Sequence, residues 1–162
     1  MCNPSAQSRR RGAPLFHRST AAHVLKSTGA AYPKRRRLLR RSDYVLAQRC
    51  GSGVHSRSFV LLCHLRTPSN DACADEPRLG VVASRKMGNA VLRNRAKRRV
   101  REWFRQLFAN DSPNLRLDPA EDIVVILRRS AATCTAPELT AELDRALPRA
   151  QRKARNAAVT NS

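Results

Sequence analysis

The stretch from Arg85 to Phe108, RKMGNAVLRNRAKRRVREWFRQLF, limits the possible folds of this chain more than any other. Between Arg93 and Arg101 six of nine residues are basic: Arg93, Arg95, Lys97, Arg98, Arg99 and Arg101. The second half carries an apolar stripe. Val100, Trp103, Phe104, Leu107 and Phe108 fall at i, i+3, i+4, i+7 and i+8, the spacing of one helix face. Extended backwards, that side takes in Leu92 and Ala96. Asn94, Arg98, Arg101 and Arg105 form a polar stripe on one flank, with Lys97 at its edge. Arg95 and Arg99 lie on the other flank. The pattern predicts one helix, with Asn89 as its N-cap after Gly88.

Such a helix is electrostatically uncomfortable alone. Arg93, Lys97 and Arg101 repeat at i, i+4 and i+8, as do Arg95 and Arg99 at i and i+4. Like charges at that spacing cost about 0.2–0.5 kcal/mol per pair. Cations in the first half also oppose the helix macrodipole. A polyanion turns this cost into attraction. The bland alternative is a solvated basic face or a generic targeting patch. The tryptophan-anchored stripe argues for a helix docked on a core, which presents its charge rigidly.

The rest of the composition agrees with a polyanion partner. The chain has 162 residues, enough for one domain with a real core. Lys plus Arg is 32 against 12 Asp plus Glu, a formal charge of +20. A domain this basic meets nucleic acid, or less often an anionic membrane surface. No apolar run approaches the roughly 20 residues that span a bilayer. The first residues are basic without a continuous apolar segment, so no secretion signal is read. Cys2, Cys50, Cys63, Cys73 and Cys134 are odd in number and show no CxxC or Cys/His ligand spacing. Reduced cysteines in the cytoplasm are the simplest reading.

Residues 1–33 contain no acid and no sustained apolar period, and read as a disordered basic extension. Lys34 to Arg41, KRRRLLRR, is a basic arm. Ser42 is the expected N-cap of a short helix ending before Gly51, packed through Tyr44, Val45 and Leu46. Tyr44 is either a core aromatic or a nucleic-acid stacking residue.

Ser58 to Arg66 is the first clear strand, with Phe59, Leu61, Cys63 and Leu65 on one face and Val60, Leu62 and His64 on the other. Thr67 to Pro77 is a polar connection. Leu79 to Ser84 is a second strand, expected antiparallel to the first. After the basic helix, Asn110 to Glu121 is a loop. Asp122 to Arg128 is a third strand whose apolar run suggests a central position buried on both faces.

Thr135 and Glu138 have the spacing of a capping box, and Leu139, Leu143 and Leu147 continue as a helical stripe. Pro148 should end or kink that helix. The expected organisation is a basic extension over 1–33, one domain over 34–153 and a flexible tail over 154–162. The order α-β-β-α-β-α gives an α+β fold, an α/β sandwich with helices on a small mixed sheet.

No catalytic constellation suggests itself. A protein-only nuclease needs clustered carboxylates for metal ions, or a His and acid pair for proton transfer. Asp43 is the only acid in the first 70 residues, and His17, His23, His55 and His64 are scattered. No Walker-type glycine loop occurs. The residues alone indicate an RNA- or DNA-binding α/β domain without an evident active site.

The stretch Gly80 to Phe104, GVVASRKMGNAVLRNRAKRRVREWF, resembles the signature of the bacterial ribonuclease P protein component. The pattern K-x-G-N-A-V-x-R-N-R-x-K-R-x-x-R runs without a gap from Lys86 through Arg101. The likeness extends more loosely from about Arg37 to Lys153. It implies a protein subunit of a ribonucleoprotein endonuclease that removes the 5′ leader of precursor tRNA. The RNA subunit is then expected to hold the catalytic Mg2+, with none bound by the protein alone. The implied partners are ribonuclease P RNA and the leader, in a 1:1 complex with a monomeric protein. The implied setting is the cytoplasm, away from membranes.

The resemblance also implies a left-handed β-α-β crossover, against the usual rule. Its implied RNA-binding set is Arg85, Lys86, Asn89, Arg93, Asn94, Arg95, Lys97, Arg98 and Arg101, with Tyr44 in a leader-binding cleft. Gln48 and Leu62 stand where relatives commonly carry aromatics, so leader binding here is expected to lean less on stacking and more on charge. The competing readings are a ribosomal or RNA-chaperone protein without enzymatic role, and DNA binding. The DNA reading lacks a helix-turn-helix or dimer frame.

Overall fold

The computed structural model describes residues 32–66, 76–109 and 116–160. The expectations for residues 1–31, for most of the connection after Arg66 and for residues 110–115 lie outside those residues. Three helices and four strands form: α1 (Arg41–Cys50), β1 (Ser52–His55), β2 (Phe59–Leu65), β3 (Arg78–Ala83), α2 (Ala90–Ala109), β4 (Glu121–Leu127) and α3 (Ala136–Thr160). The sheet runs β1-β2-β4-β3. β1 and β2 pair antiparallel, as do β2 and β4, while β3 pairs parallel with β4. The α+β sandwich is therefore as expected, with one strand more than the sequence pattern predicts. β1, reading SGVH, offers a single apolar residue, Val54, and owes its strand conformation to pairing with β2.

β3 runs opposite to β2, as expected, but the two are not neighbours. β4 lies between them and is buried on both faces, with Ile123, Val124 and Val125 all at 0% exposure. β3, α2 and β4 form the parallel β-α-β unit that carries the basic helix.

One sheet face holds the main core. Phe59, Leu61, Cys63, Leu79, Ile123, Val125 and Leu127 meet Ala96, Val100, Trp103 and Phe104 of α2 and Leu139, Leu143 and Leu147 of α3. The stripe read from α2 is thus the buried one. Tyr32 joins this core, its ring edge-on to Phe104 at 5.6 Å between centroids and its hydroxyl donating to the Arg36 carbonyl. Tyr32 and Pro33, assigned by sequence to the extension, belong to the fold.

Among the described residues, α1 is the one helix on the other face. Leu38, Ala47, Leu62 and Val124 are buried there, with Tyr44, Val60, Val82 and Ile126 half-buried around them. Two expectations for α1 need correction. Its N-cap is Arg40, without a side-chain cap, and the Ser42 hydroxyl turns to Asp43 at 3.3 Å instead. Its packing comes from Tyr44 and Ala47, while Val45 and Leu46 face outward.

α3 begins with the expected capping box. The Glu138 carboxylate accepts from the Thr135 N–H at 2.8 Å, and the Thr135 hydroxyl accepts from the Glu138 N–H at 3.4 Å. Pro148 does not stop it. The helix runs on to Thr160, so the tail expected over 154–162 is helical as far as that residue. An interior proline costs about 3 kcal/mol or more. Tertiary contacts beyond it offset that cost: Ala150, Gln151 and Ala154 are buried, and the Gln151 amide donates to the Arg116 carbonyl and to Glu121.

Candidate nucleic-acid interface

α2 starts at a sharply built corner. Gly88 has φ +138°, a conformation that side chains rarely adopt. Asn89 follows as N-cap, its Oδ1 accepting from the Leu92 N–H at 2.9 Å. Arg93 donates back to the Gly88 carbonyl at 2.5 Å, and Arg99 donates to the Cys134 carbonyl ahead of α3. These bonds hold the first half of the helix against its own charge repulsion.

The expected RNA-binding residues gather on this corner and helix. Arg85, Lys86, Asn89, Asn94, Arg95, Arg98 and Arg101 are exposed, and Arg93 and Lys97 are half-buried. Among the described residues, none of the basic side chains from Arg93 to Arg101 has an acid within salt-bridge distance. The acids that form ion pairs take other bases. Asp122 takes Arg78 at 2.7 Å and Arg66 at 3.4 Å, and Asp43 takes Arg78 at 3.2 Å. Glu76 takes Arg35 and Arg36, Glu102 takes Arg105, and Asp118 takes Arg155.

Tyr44 sits apart from α2, on the α1 face of the sheet. Its hydroxyl donates to the Leu38 carbonyl at 3.1 Å. Its ring lies so close to β3 that a Cβ on Gly80 would stand 2.6 Å from it, so Gly80 makes its seat. Burial raises the Tyr44 hydroxyl pKa, while the nearby Arg101 charge pulls it down. Leu62 is covered by α1, and Gln48 is exposed.

Beside Tyr44 the strand register lays out rows across three strands. His64, Asp122 and Arg78 form one, Leu62, Val124 and Gly80 the next, and Val60, Ile126 and Val82 the outermost. The outermost row is half-exposed and apolar, without an aromatic. His55 and Arg128, 3.1 Å apart, stand at its β1 end. Sequence reasoning missed this pair because it did not see β1. The register of a hairpin across Ser56–Ser58 was the available signal. Burial lowers the His64 pKa, partly countered by Asp122.

Among the described residues no group of three or more His, Cys, Asp or Glu could hold a metal ion. No helix there is long and apolar enough to cross a membrane. The arrangement is a cationic helix beside a shallow apolar face with one half-buried tyrosine, and its surplus positive charge suits a polyanion.

The comparisons name that class more closely. The family model for ribonuclease P matches residues 32–151. The chain belongs to the ribonuclease P protein family. It is 32% identical to the ribonuclease P protein component of Geobacter sp. (strain M21) over 126 residues, covering 78% of this chain and 97% of the relative. The solved ribonuclease P protein of Thermotoga maritima superposes with a TM-score of 0.56 at 31% identity, covering 70% of this chain and 96% of that one. A Staphylococcus aureus ribonuclease P protein mutant, described as defective in mRNA degradation, gives 0.58 at 32% identity, covering 73% and 90%.

Proposed function

We propose that this chain is the protein subunit of a ribonuclease P ribonucleoprotein, binding the catalytic RNA and the 5′ leader of precursor tRNA during tRNA 5′ maturation. The observation that carries this reading is the first half of α2, where six cations are held in place without a described acid to neutralise them. Arginine forks grip phosphates bidentately, and Asn94 can donate and accept at once. The chemistry belongs to the RNA, whose Mg2+ ions carry out phosphodiester hydrolysis. The protein supplies affinity and orientation, as a monomer in a 1:1 complex in the cytoplasm.

The leader lies on the α1 face, past Tyr44 and the Val60–Ile126–Val82 row, with Arg101 and the Arg128–His55 pair at its borders. A base stacked on an aromatic contributes about 1–3 kcal/mol. Tyr44 is the one aromatic this face offers among the described residues, so charge carries more of the leader contact.

The test is precursor tRNA cleavage by a bacterial ribonuclease P RNA at low Mg2+, with and without the protein. Cleavage at the mature 5′ end only when both are present is the expected result. No stimulation by a folded, RNA-bound protein overturns the reading and leaves a ribosomal or chaperone role.

A further inference from the structure

We infer that the groove between α2 and α3 receives one unstacked nucleotide of the RNA partner. Its phosphate would rest on Arg98 and Arg99, and its base against the apolar wall of Pro137 and Ala141. With ribonuclease P RNA as that partner, the occupant depends on the function proposed above. The groove holds about 590 Å³, borders the exposed cationic side of α2 at Arg98, and includes no residue of the α1 face. It exists because the side of α3 turned to α2 carries small residues where the two helices pass.

The ends of the groove differ in charge. Arg98 and Arg99 stand one helical turn, about 5.4 Å, before Glu102. Arg99 marks the end beside the start of α3 by its bond to the Cys134 carbonyl, and Asp144 marks the other by its bond to Trp103. A duplex backbone, anionic throughout, is repelled by the two carboxylates. A single nucleotide fits the polarity: an anionic phosphate at one end, an apolar base face along the wall, and base N–H donors at the other end. Glu102 already accepts from Arg105 and Gln106. Asp144 Oδ1 accepts from the Trp103 indole at 2.8 Å, which leaves Oδ2 open among the described residues. Asp144 Oδ2 is therefore the acceptor for a base N–H, either a ring imino group or an exocyclic amine. Arg99 is already fixed by its bond to the Cys134 carbonyl, so the phosphate end is preformed. The groove is also continuous with the cationic face of α2 through Arg98, which favours RNA over a peptide.

The experiment measures binding of the full chain to a bacterial ribonuclease P RNA for the wild type and for Ala141→Trp, which fills the groove. A photocrosslinker attached to Pro137→Cys is followed in parallel. The expected result is at least about tenfold weaker binding by A141W. Its unfolding midpoint should not change, and crosslinks from position 137 should land on an unpaired base. Binding of folded A141W within about twofold of wild type overturns the groove alone. Crosslinks confined to helical RNA do the same, and decide the matter if A141W does not fold. Failure of the wild type to bind the RNA overturns the proposed function, and the groove with it.

Discussion

Two arginine-rich regions of this molecule face opposite fates. At the start of β3, Arg78 bridges the buried Asp122 and the α1 residue Asp43, with Arg66 also reaching Asp122. In the first half of α2, Arg95, Arg98 and Arg101 are exposed and, among the described residues, make no ion pair. Composition counts both sets alike in the net +20. The difference lies in where twelve acids are placed. Few acids and many bases leave a surplus on α2, while Asp122 and Asp43 hold the sheet and α1 together through Arg78. A charged cluster predicts a partner only once its internal partners are known.

The largest expected effect tests the anchor that keeps the α2 surplus rigid. Trp103→Ala removes a 2%-exposed aromatic and its bond to Asp144, and should cost about 3–5 kcal/mol in urea unfolding. A destabilisation below about 1 kcal/mol would break the view that the second half of α2 holds the first.

Next comes the structural set. Arg78→Ala leaves Asp122, 2% exposed, with Arg66 as its remaining ion-pair partner among the described residues. A broken buried pair costs about 3–5 kcal/mol. The low end applies here, since Arg78 is itself partly exposed. Thermal denaturation should show this destabilisation, with RNA affinity reduced only through unfolding.

The free set should behave in the opposite way. Arg95→Ala with Arg98→Ala is expected to leave stability within about 0.5 kcal/mol. It should weaken binding to ribonuclease P RNA and flatten the dependence of log K on log salt by about 0.7–0.9 for each phosphate that is no longer neutralised. An unfolded double mutant by circular dichroism, or an unchanged salt slope, would erase the contrast between the two regions.

The smallest effect concerns a buried acid that belongs to neither set. Glu121 is fully buried and bonded to Gln151, and burial raises its pKa. Its folded form therefore binds a proton more readily than its unfolded form. Its contribution to stability is present below the unfolded value near 4.5 and is lost as pH rises towards the folded one. Glu121→Gln should remove that downward slope from a stability-versus-pH series. An identical slope in both proteins would mean that Glu121 is not the group responsible.

Much of the fold was legible because its signals are local. The three apolar strands, the capping box of α3 and the buried stripe of α2 each rest on periodicity within a few turns or residues. Three features were not. β1 carries one apolar residue and becomes a strand by pairing. α3 passes Pro148 because Ala150, Gln151 and Ala154 find partners from elsewhere in the chain. α1 packs through Ala47 and Tyr44 rather than Val45 and Leu46, since the sheet decides which side is covered.

The sequence by itself determined that this chain has a docked helix dense in positive charge, and the motif from Lys86 to Arg101 pointed to its family. Charge density and helical spacing are properties of neighbours in the chain, so they can be read from it. Only the tertiary structure decided which arginines remain free, that Gly80 makes the seat for Tyr44, and that a groove with opposite charges at its ends opens between α2 and α3. Those depend on groups distant in sequence meeting in space, where burial and pairing, not composition, set the energy of each charge.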